Sequence, residues 1–156
     1  MVQPERVLEL AHAFLGEVRR DLERATAEGS DLPPRLRAIS FRPGQPNPEL
    51  RTLAVQVPPG AAGASPEVLS TQIARYAADR PATCLLLALD VLGDAGDGRQ
   101  TPMLIAEARA RGGTRFFMIQ PFAIENGRVR WEEPLAGGWQ DPGGEEMILD
   151  EAFGGE

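Results

Sequence analysis

The chain has 156 residues, with 16 basic and 23 acidic side chains and a formal net charge of -7. Every basic residue is an arginine, so a lysine Schiff base, a phosphate-loop lysine and a catalytic lysine base are excluded. The negative charge disfavours binding to nucleic acid or to an anionic membrane surface. These totals indicate one acidic globular domain with neither nucleic acid nor membrane as a partner.

The cysteine content and the lack of targeting or membrane-spanning patterns indicate the cellular compartment. Its single cysteine, Cys84, lies in an apolar run and can form no internal disulfide, which fits a reducing compartment. The first residues lack the basic and apolar regions of a signal peptide, and no apolar run approaches the ~20 residues that cross a bilayer. Arginine-only usage with abundant alanine and glycine is typical of a GC-rich bacterial genome. We therefore expect a cytoplasmic bacterial protein without a cofactor.

Two segments have the periodicity of amphipathic helices. Over residues 4–27, apolar side chains from Val7 to Ala25 recur at steps of three and four. Residues 66–79 have a similar pattern, and Ser65 is placed to cap a helix that begins with Pro66. Both segments are predicted to be helical.

The remaining elements are predicted as strands. Residues 36–41 and 51–57 have the pattern of two short strands, and residues 83–92 are apolar on both faces, which is typical of a central strand. Residues 101–111 fit either a helix, with Gly112 as its end, or a strand that continues into the next one. The strand is favoured because it makes one continuous meander.

The best-specified local feature is a hairpin at Asn126-Gly127, the pair that type I′ turns prefer because both central residues need positive φ. The turn fixes the register of the flanking strands. It predicts the cross-strand pairs Glu125 with Arg128, Ile124 with Val129, and Phe122 with Trp131.

This order of elements predicts an α+β domain. An antiparallel β-meander over about residues 83–131 is covered on one face by two helices at about 4–27 and 66–79. The alternative is an α/β fold with a helix at 101–111. We predict a single domain over residues 1–133, followed at 134–156 by a Gly-rich acidic tail that packs in part through Met147, Ile148 and Leu149.

One loop resembles a phosphate-binding motif without meeting its requirements. Residues 93–101 match the first half of that pattern, but Arg99 replaces the lysine, and Asp94 and Asp97 would repel a phosphate. Together with Asp90, these aspartates also lack the alternating spacing of a calcium loop. One cysteine and one histidine, His12, exclude a zinc site. We predict a solvated turn and no metal.

The candidates for chemistry are Asp90 and Glu107. If residues 83–92 pair with 103–111, these carboxylates lie within one or two residue pairs of each other, and Arg109 and Arg111 share the parity of Glu107. Carboxylates beside arginines can serve acid–base catalysis or form a ligand-binding anion pocket. The commoner arrangement is a solvated sheet face with cross-strand ion pairs.

The first helix has more apolar surface than one stripe needs. This width suits a helix that covers a sheet, and equally one that also packs on a second subunit. The interface candidates are Phe14, Leu15, Val18 and Leu22.

Two functions follow as hypotheses. The first is a non-enzymatic bacterial interaction protein, adaptor or chaperone-like, that acts through its sheet face or first helix. Its partner is another protein or a second copy of the chain, which makes it a homodimer. The alternative is a small-molecule-binding protein or enzyme that uses Asp90, Glu107 and the neighbouring arginines.

Overall fold

The computed structural model describes residues 2–56, 65–94, 96 and 98–154. Helices and strands alternate in an irregular order, with two short 3-10 turns, Leu135–Gly137 and Ile148–Phe153, at the C-terminal end. The main elements are α1 (Pro4–Ala27), β1 (Arg35–Ser40), β2 (Glu49–Ala54), α2 (Pro66–Asp79), β3 (Cys84–Asp94), β4 (Gln100–Ala110), β5 (Arg115–Glu125) and β6 (Arg128–Trp131).

The strands form one sheet in the order β2-β1-β3-β4-β5-β6, and each neighbouring pair is antiparallel. The α+β class with an antiparallel meander is therefore confirmed. The alternative helix at 101–111 is not formed, because β4 occupies residues Gln100–Ala110. β4 lies between β3 and β5 and pairs with both, which stabilises the strand over a local helix propensity.

The two helices cover opposite faces of the sheet, so the expectation that both lie on one face is wrong. Leu86 and Ala88 of β3 pack in the core beneath α1, and we call this side the first face. Leu85 and Leu87 pack with α2 on the other side, the second face. Because β3 is apolar on both parities, a cover on each face is needed to keep these side chains from water.

Helix α1 agrees with its predicted bounds, and its interface candidates lie in the core. Phe14, Leu15, Val18 and Leu22 are at most 4% exposed and pack on the first face. In this conformation they are not available to a second subunit, so the homodimer stays a prediction without that surface to support it.

An ion pair that the sequence pattern did not reveal also holds α1 to the sheet. Arg37 of β1, only 9% exposed, donates from both terminal nitrogens to the Glu17 carboxylate at 2.8 and 3.0 Å. The hydrogen bond from Arg37 lowers the pKa of Glu17. A bidentate pair of this kind fixes orientation as well as contact.

Helix α2 begins as predicted, since the Ser65 hydroxyl accepts the backbone N–H of Val68 at 3.2 Å. Leu69 and Ile73 are its buried residues. The second predicted strand is β2, and its predicted last residue, Val57, lies outside the described residues.

The Asn126-Gly127 hairpin is confirmed in detail. Both residues have positive φ, 54° and 74°, as a type I′ turn requires. The ring centroids of Phe122 and Trp131 lie 5.2 Å apart. The strands pair as predicted, with Glu125 opposite Arg128, Ile124 opposite Val129, and Phe122 opposite Trp131.

Residues 146–153, here called the C-terminal segment, pack on the second face beside α2. Leu149 is fully buried, and Met147 and Phe153 are 5% and 7% exposed. Upstream, Gln140 forms an isolated antiparallel bridge with Phe117 of β5. The division into a domain at 1–133 and a tail at 134–156 stays a prediction.

Candidate functional site

The structure does not bring Asp90 and Glu107 together. Asp90 is opposite Leu104 in the β3–β4 register, whereas Glu107 is opposite Leu87, three residue pairs away. Side chains alternate along β3 between the first face, where Leu86 lies, and the second face, where Leu87 lies, so Asp90 is on the first face. Glu107 is directly opposite Leu87 and therefore lies on the second face. A joint acid–base site of these carboxylates is therefore not formed.

Glu107 holds the C-terminal segment. Its side-chain oxygens accept the backbone N–H groups of Ile148 at 3.1 Å and Leu149 at 3.0 Å, and the residue is 7% exposed. Burial raises the pKa of Glu107, and these two hydrogen bonds oppose that rise without cancelling it. The carboxylate therefore acts as the cap of the C-terminal turn, supplying an acceptor for N–H groups that a helical turn leaves unpaired.

Two arginines bind the same segment through Asp150. Arg109 Nε donates to Asp150 Oδ1 at 3.1 Å, and Arg115 contacts both carboxylate oxygens, at 3.0 and 2.6 Å. Burial acts to raise the pKa of Asp150, but hydrogen bonds from Arg115 and the Met147 N–H outweigh it and lower the pKa overall. Arg115, in turn, has its pKa raised by Asp150.

Arg109 and Arg111, the predicted ligand-binding residues, also face the C-terminal segment. The Arg109 and Arg111 guanidinium carbons lie 4.9 and 5.8 Å from the ring centroid of Phe153. Arg111 Nε donates to the carbonyl of Ala82 at 3.0 Å. Both arginines therefore help to hold the C-terminal segment against the sheet. Their binding of a ligand from solution stays a prediction.

The loop that resembles a phosphate-binding motif joins β3 to β4. The Asp94 carboxylate accepts the backbone N–H groups of Gly96 and Gly98 at 2.7 and 3.0 Å. These are donors of the kind that a phosphate loop offers to its ligand, and here the protein's own carboxylate uses them. Asp97, the other aspartate of this predicted solvated turn, lies outside the described residues.

A different arrangement appears on the first face, where α1 ends. A cleft of about 420 Å³ opens between the C-terminal end of α1, the following loop and the ends of β3 and β5. Its walls are mainly apolar, and two carboxylates, Asp31 and Asp90, line it. We call this the acidic cleft; its lining includes Asp31, Asp90, Leu92, Phe122 and Ile124.

Two large apolar side chains of the acidic cleft are exposed to solvent. Leu92 is 68% exposed and Ile124 is 54% exposed, whereas Phe122 beside them is 3% exposed. Leu92 and Ile124 have the first-face parity of their strands, and they lie where α1 no longer covers that face. Contiguous exposed apolar side chains with a polar rim are typical of interaction sites.

The electrostatics of the acidic cleft favour a cation. Although Asp90 is exposed as a residue, the surrounding walls partly desolvate its carboxylate and raise its pKa, and the nearby Asp31 raises it further. Its own backbone N–H opposes this rise. Among the described residues, neither carboxylate has an ion-pair partner, and the C-terminal end of α1 adds negative potential.

The other reactive residue types lie elsewhere. His12 is exposed on α1, and Cys84 is fully buried, where desolvation raises the pKa of its thiol to about 12. Within the described parts of the chain, no group of three or more potential metal ligands is found, and no helix combines the length and apolarity of a membrane span.

Sequence reasoning selected Asp90 but missed its neighbour Asp31. Asp31 is an exposed residue in the loop between α1 and β1, and nothing in the local sequence distinguishes it from other loop acids. For Leu92 the sequence did contain a signal, because it is an apolar side chain near the polar end of an otherwise buried strand. Only the packing of α1 and its following loop over the ends of the strands places both residues in one cleft.

Comparisons of the chain with protein-family models, with curated proteins and with solved structures found no match. The class that the structure defines is therefore the α+β antiparallel sheet with a cover on each face.

Proposed function

We propose that this protein is a non-enzymatic interaction protein and that its partner binds in the acidic cleft. The occupant is a segment of a partner protein with an arginine or lysine side chain beside aliphatic side chains. The observation that carries the proposal is the presence, in one open cleft, of exposed Leu92 and Ile124 together with Asp31 and Asp90.

The apolar walls supply the affinity in this proposal. Leu92 and Ile124 expose most of their side chains in the free protein, and burying them against a partner removes apolar surface from water. At about 25 cal/mol per Å² of apolar surface, each such side chain is a useful contributor. An aliphatic side chain of the partner packs against Leu92 and Ile124 and covers their exposed surface.

The carboxylates supply the orientation. A guanidinium or ammonium group near Asp31 and Asp90 relieves the repulsion between them and gains from the negative end of α1. Rim charges of this kind contribute more to specificity and association rate than to raw affinity. The partner is therefore expected to bind more weakly as salt increases.

The openness of the acidic cleft favours a chain segment over an enclosed small molecule. Pockets for small ligands bury most of the ligand surface, whereas side chains that are 54% and 68% exposed line a shallow rim. A small organic cation is the competing ligand, and the experiment below distinguishes the two.

The test measures fluorescence anisotropy of three labelled 12-residue peptides. One alternates arginine with leucine, one glutamate with leucine, and one arginine with serine. We expect saturable binding of the Arg–Leu peptide, with a loss of about tenfold for Asp90→Asn or Leu92→Ser, since a lost charged or apolar contact is worth ~1–2 kcal/mol at such a site.

Asp79→Asn and Leu50→Ser are the matched controls, because both residues are exposed and neither lines the acidic cleft. Binding that responds equally to cleft and control variants would reflect only the net charge of the chain and would contradict the proposal. Tight binding of propylguanidine alone, equal to that of the peptide, would identify the cleft as a small-molecule site instead.

A further inference from the structure

We infer that the groove on the second face is a peptide-binding site for the C-terminal segment, and that it also accepts this segment from a second copy of the chain. This groove is formed by α2, β3, β4 and the first part of β5. The inference uses a different surface from the acidic cleft and does not depend on the proposed function.

The groove recognises the C-terminal segment by several separate chemical features. Glu107 accepts the N–H groups of Ile148 and Leu149, as described above, and the Ser70 hydroxyl donates to the carbonyl of Ile148 at 3.0 Å. Leu149 is fully buried among apolar side chains of α2 and β3. Backbone donors, a backbone acceptor and an apolar pocket are the means by which proteins bind short peptides.

Charge complementarity adds sequence specificity. The groove presents Arg109 and Arg115, and the segment presents Asp150 between them. Arg109 also lies over the ring of Phe153. The groove therefore selects a segment with an acidic residue, which contacts Arg109 and Arg115, and an aromatic residue three positions later, which contacts Arg109.

The segment completes the chemistry of the groove. With the segment in place, Glu107 and Arg109 are only 7% and 2% exposed, and both contact it, Glu107 through the N–H groups of Ile148 and Leu149 and Arg109 through Asp150. When the segment leaves, an occupant that offers the same N–H pair, carboxylate and aromatic ring is favoured. The same segment of another copy offers all of them, which makes a second copy the occupant of matched chemistry.

The connection to the segment can permit this exchange. Residues 143–146 are exposed and include the adjacent pair Gly143 and Gly144, with Gly143 at a φ of 61°. Along this connection, Arg115 donates to the carbonyls of Gly143 and Glu145 at 2.9 and 2.6 Å. Exchange of an identical element between two chains gives a closed two-fold dimer with no new interface chemistry.

The first experiment mixes two full-length charge-reversal variants, Arg115→Glu and Asp150→Arg. In each variant alone, like charges face each other in the groove. Exchange between the two variants rebuilds the native Arg115–Asp150 pair in one groove and creates the reversed pair in the other. Native mass spectrometry is expected to show a heterodimer in the mixture, whereas each variant alone stays monomeric.

The second experiment remains informative if a charge-reversal variant fails to fold. A labelled peptide of residues 143–154 is titrated against the full-length Asp150→Asn chain, whose own segment is weakened while its groove is intact. We expect about tenfold tighter binding than to the unmodified chain, because one charged hydrogen-bonded contact no longer holds the competing segment. Adding Arg115→Gln, which damages the groove, is expected to abolish the gain.

Monomers alone in the variant mixture overturn the exchange with a second copy. Peptide binding that is equal for the Asp150→Asn chain and for the double variant overturns the recognition by the groove. Binding at the acidic cleft is unaffected by either result, since these variants lie on the opposite face.

Discussion

Each face of the sheet holds a carboxylate among apolar side chains, but the two carboxylates differ in the groups that they contact. Glu107 on the second face accepts two N–H groups of its own chain. Asp90 on the first face lies beside Asp31 in the acidic cleft, without an ion-pair partner among the described residues. Desolvation raises the pKa of both carboxyl groups, so burial does not distinguish them. What distinguishes them is that only Glu107 accepts hydrogen bonds from the C-terminal segment.

This comparison separates a structural carboxylate from a candidate functional one. A carboxylate whose donors come from the same chain stabilises the fold, and replacing it destabilises the protein. A carboxylate that shares an open cleft with another carboxylate has no such role, and its replacement should affect binding rather than folding. Four predictions test this separation, starting from the core of the first face.

The largest effect is expected for Phe14→Ala. Phe14 is 2% exposed in the core beneath α1, and Arg37 lies 5.1 Å from its ring centroid. Truncation should reduce the free energy of unfolding by about 3–5 kcal/mol in urea denaturation. A loss of less than about 1 kcal/mol would contradict the assignment of Phe14 to the core.

Next in size is Glu107→Ala. The change leaves the N–H groups of Ile148 and Leu149 without their acceptor in a buried site, and it should reduce the free energy of unfolding by about 2–4 kcal/mol. Asp90→Ala, on the other face of the same hairpin, is the matched control. Equal destabilisation by the two variants would remove the distinction between the two carboxylates.

Asp150→Asn is expected to cost about 1–2 kcal/mol at pH 7, because the partly exposed carboxylate loses its pairing with Arg115 and Arg109. The folded-state pKa of Asp150 lies below its unfolded value of about 3.9. Its contribution is therefore fully present above about pH 4 and is lost as the pH falls through the folded-state pKa.

Urea titrations of both chains at a series of pH values measure this loss. The difference between the unmodified and Asp150→Asn chains should stay constant from about pH 5 to 7 and shrink below about pH 4. Glu107 has the opposite sign, since a raised pKa gives stability that is present at low pH and lost as the pH rises. A difference that grows in acid would mean that Asp150 is not the stabilising group.

The smallest effect on stability is expected in the acidic cleft. Asp90→Asn and Leu92→Ser should each change the free energy of unfolding by less than about 0.5 kcal/mol, because both residues are exposed. The same variants should lose the binding of the Arg–Leu peptide. A large destabilisation by either one would place these side chains among the structural residues.

Local patterns in the sequence determined the elements of this protein. Helix periodicity predicted the bounds of α1 and α2, because a helix buries every third or fourth side chain whatever its partner is. The turn at Asn126-Gly127 specified the register of β5 and β6, because two adjacent residues with positive φ allow one hairpin geometry.

Only the tertiary structure decided which face each element covers. Apolar residues on both parities of β3 require two covers, but the sequence does not say which helix supplies which. The partner of Glu107 lies 41 residues away at Ile148, and no local pattern predicts a contact at that separation. Asp31 and Asp90 likewise come from separate elements, so the acidic cleft exists only once α1 ends over the uncovered part of the sheet.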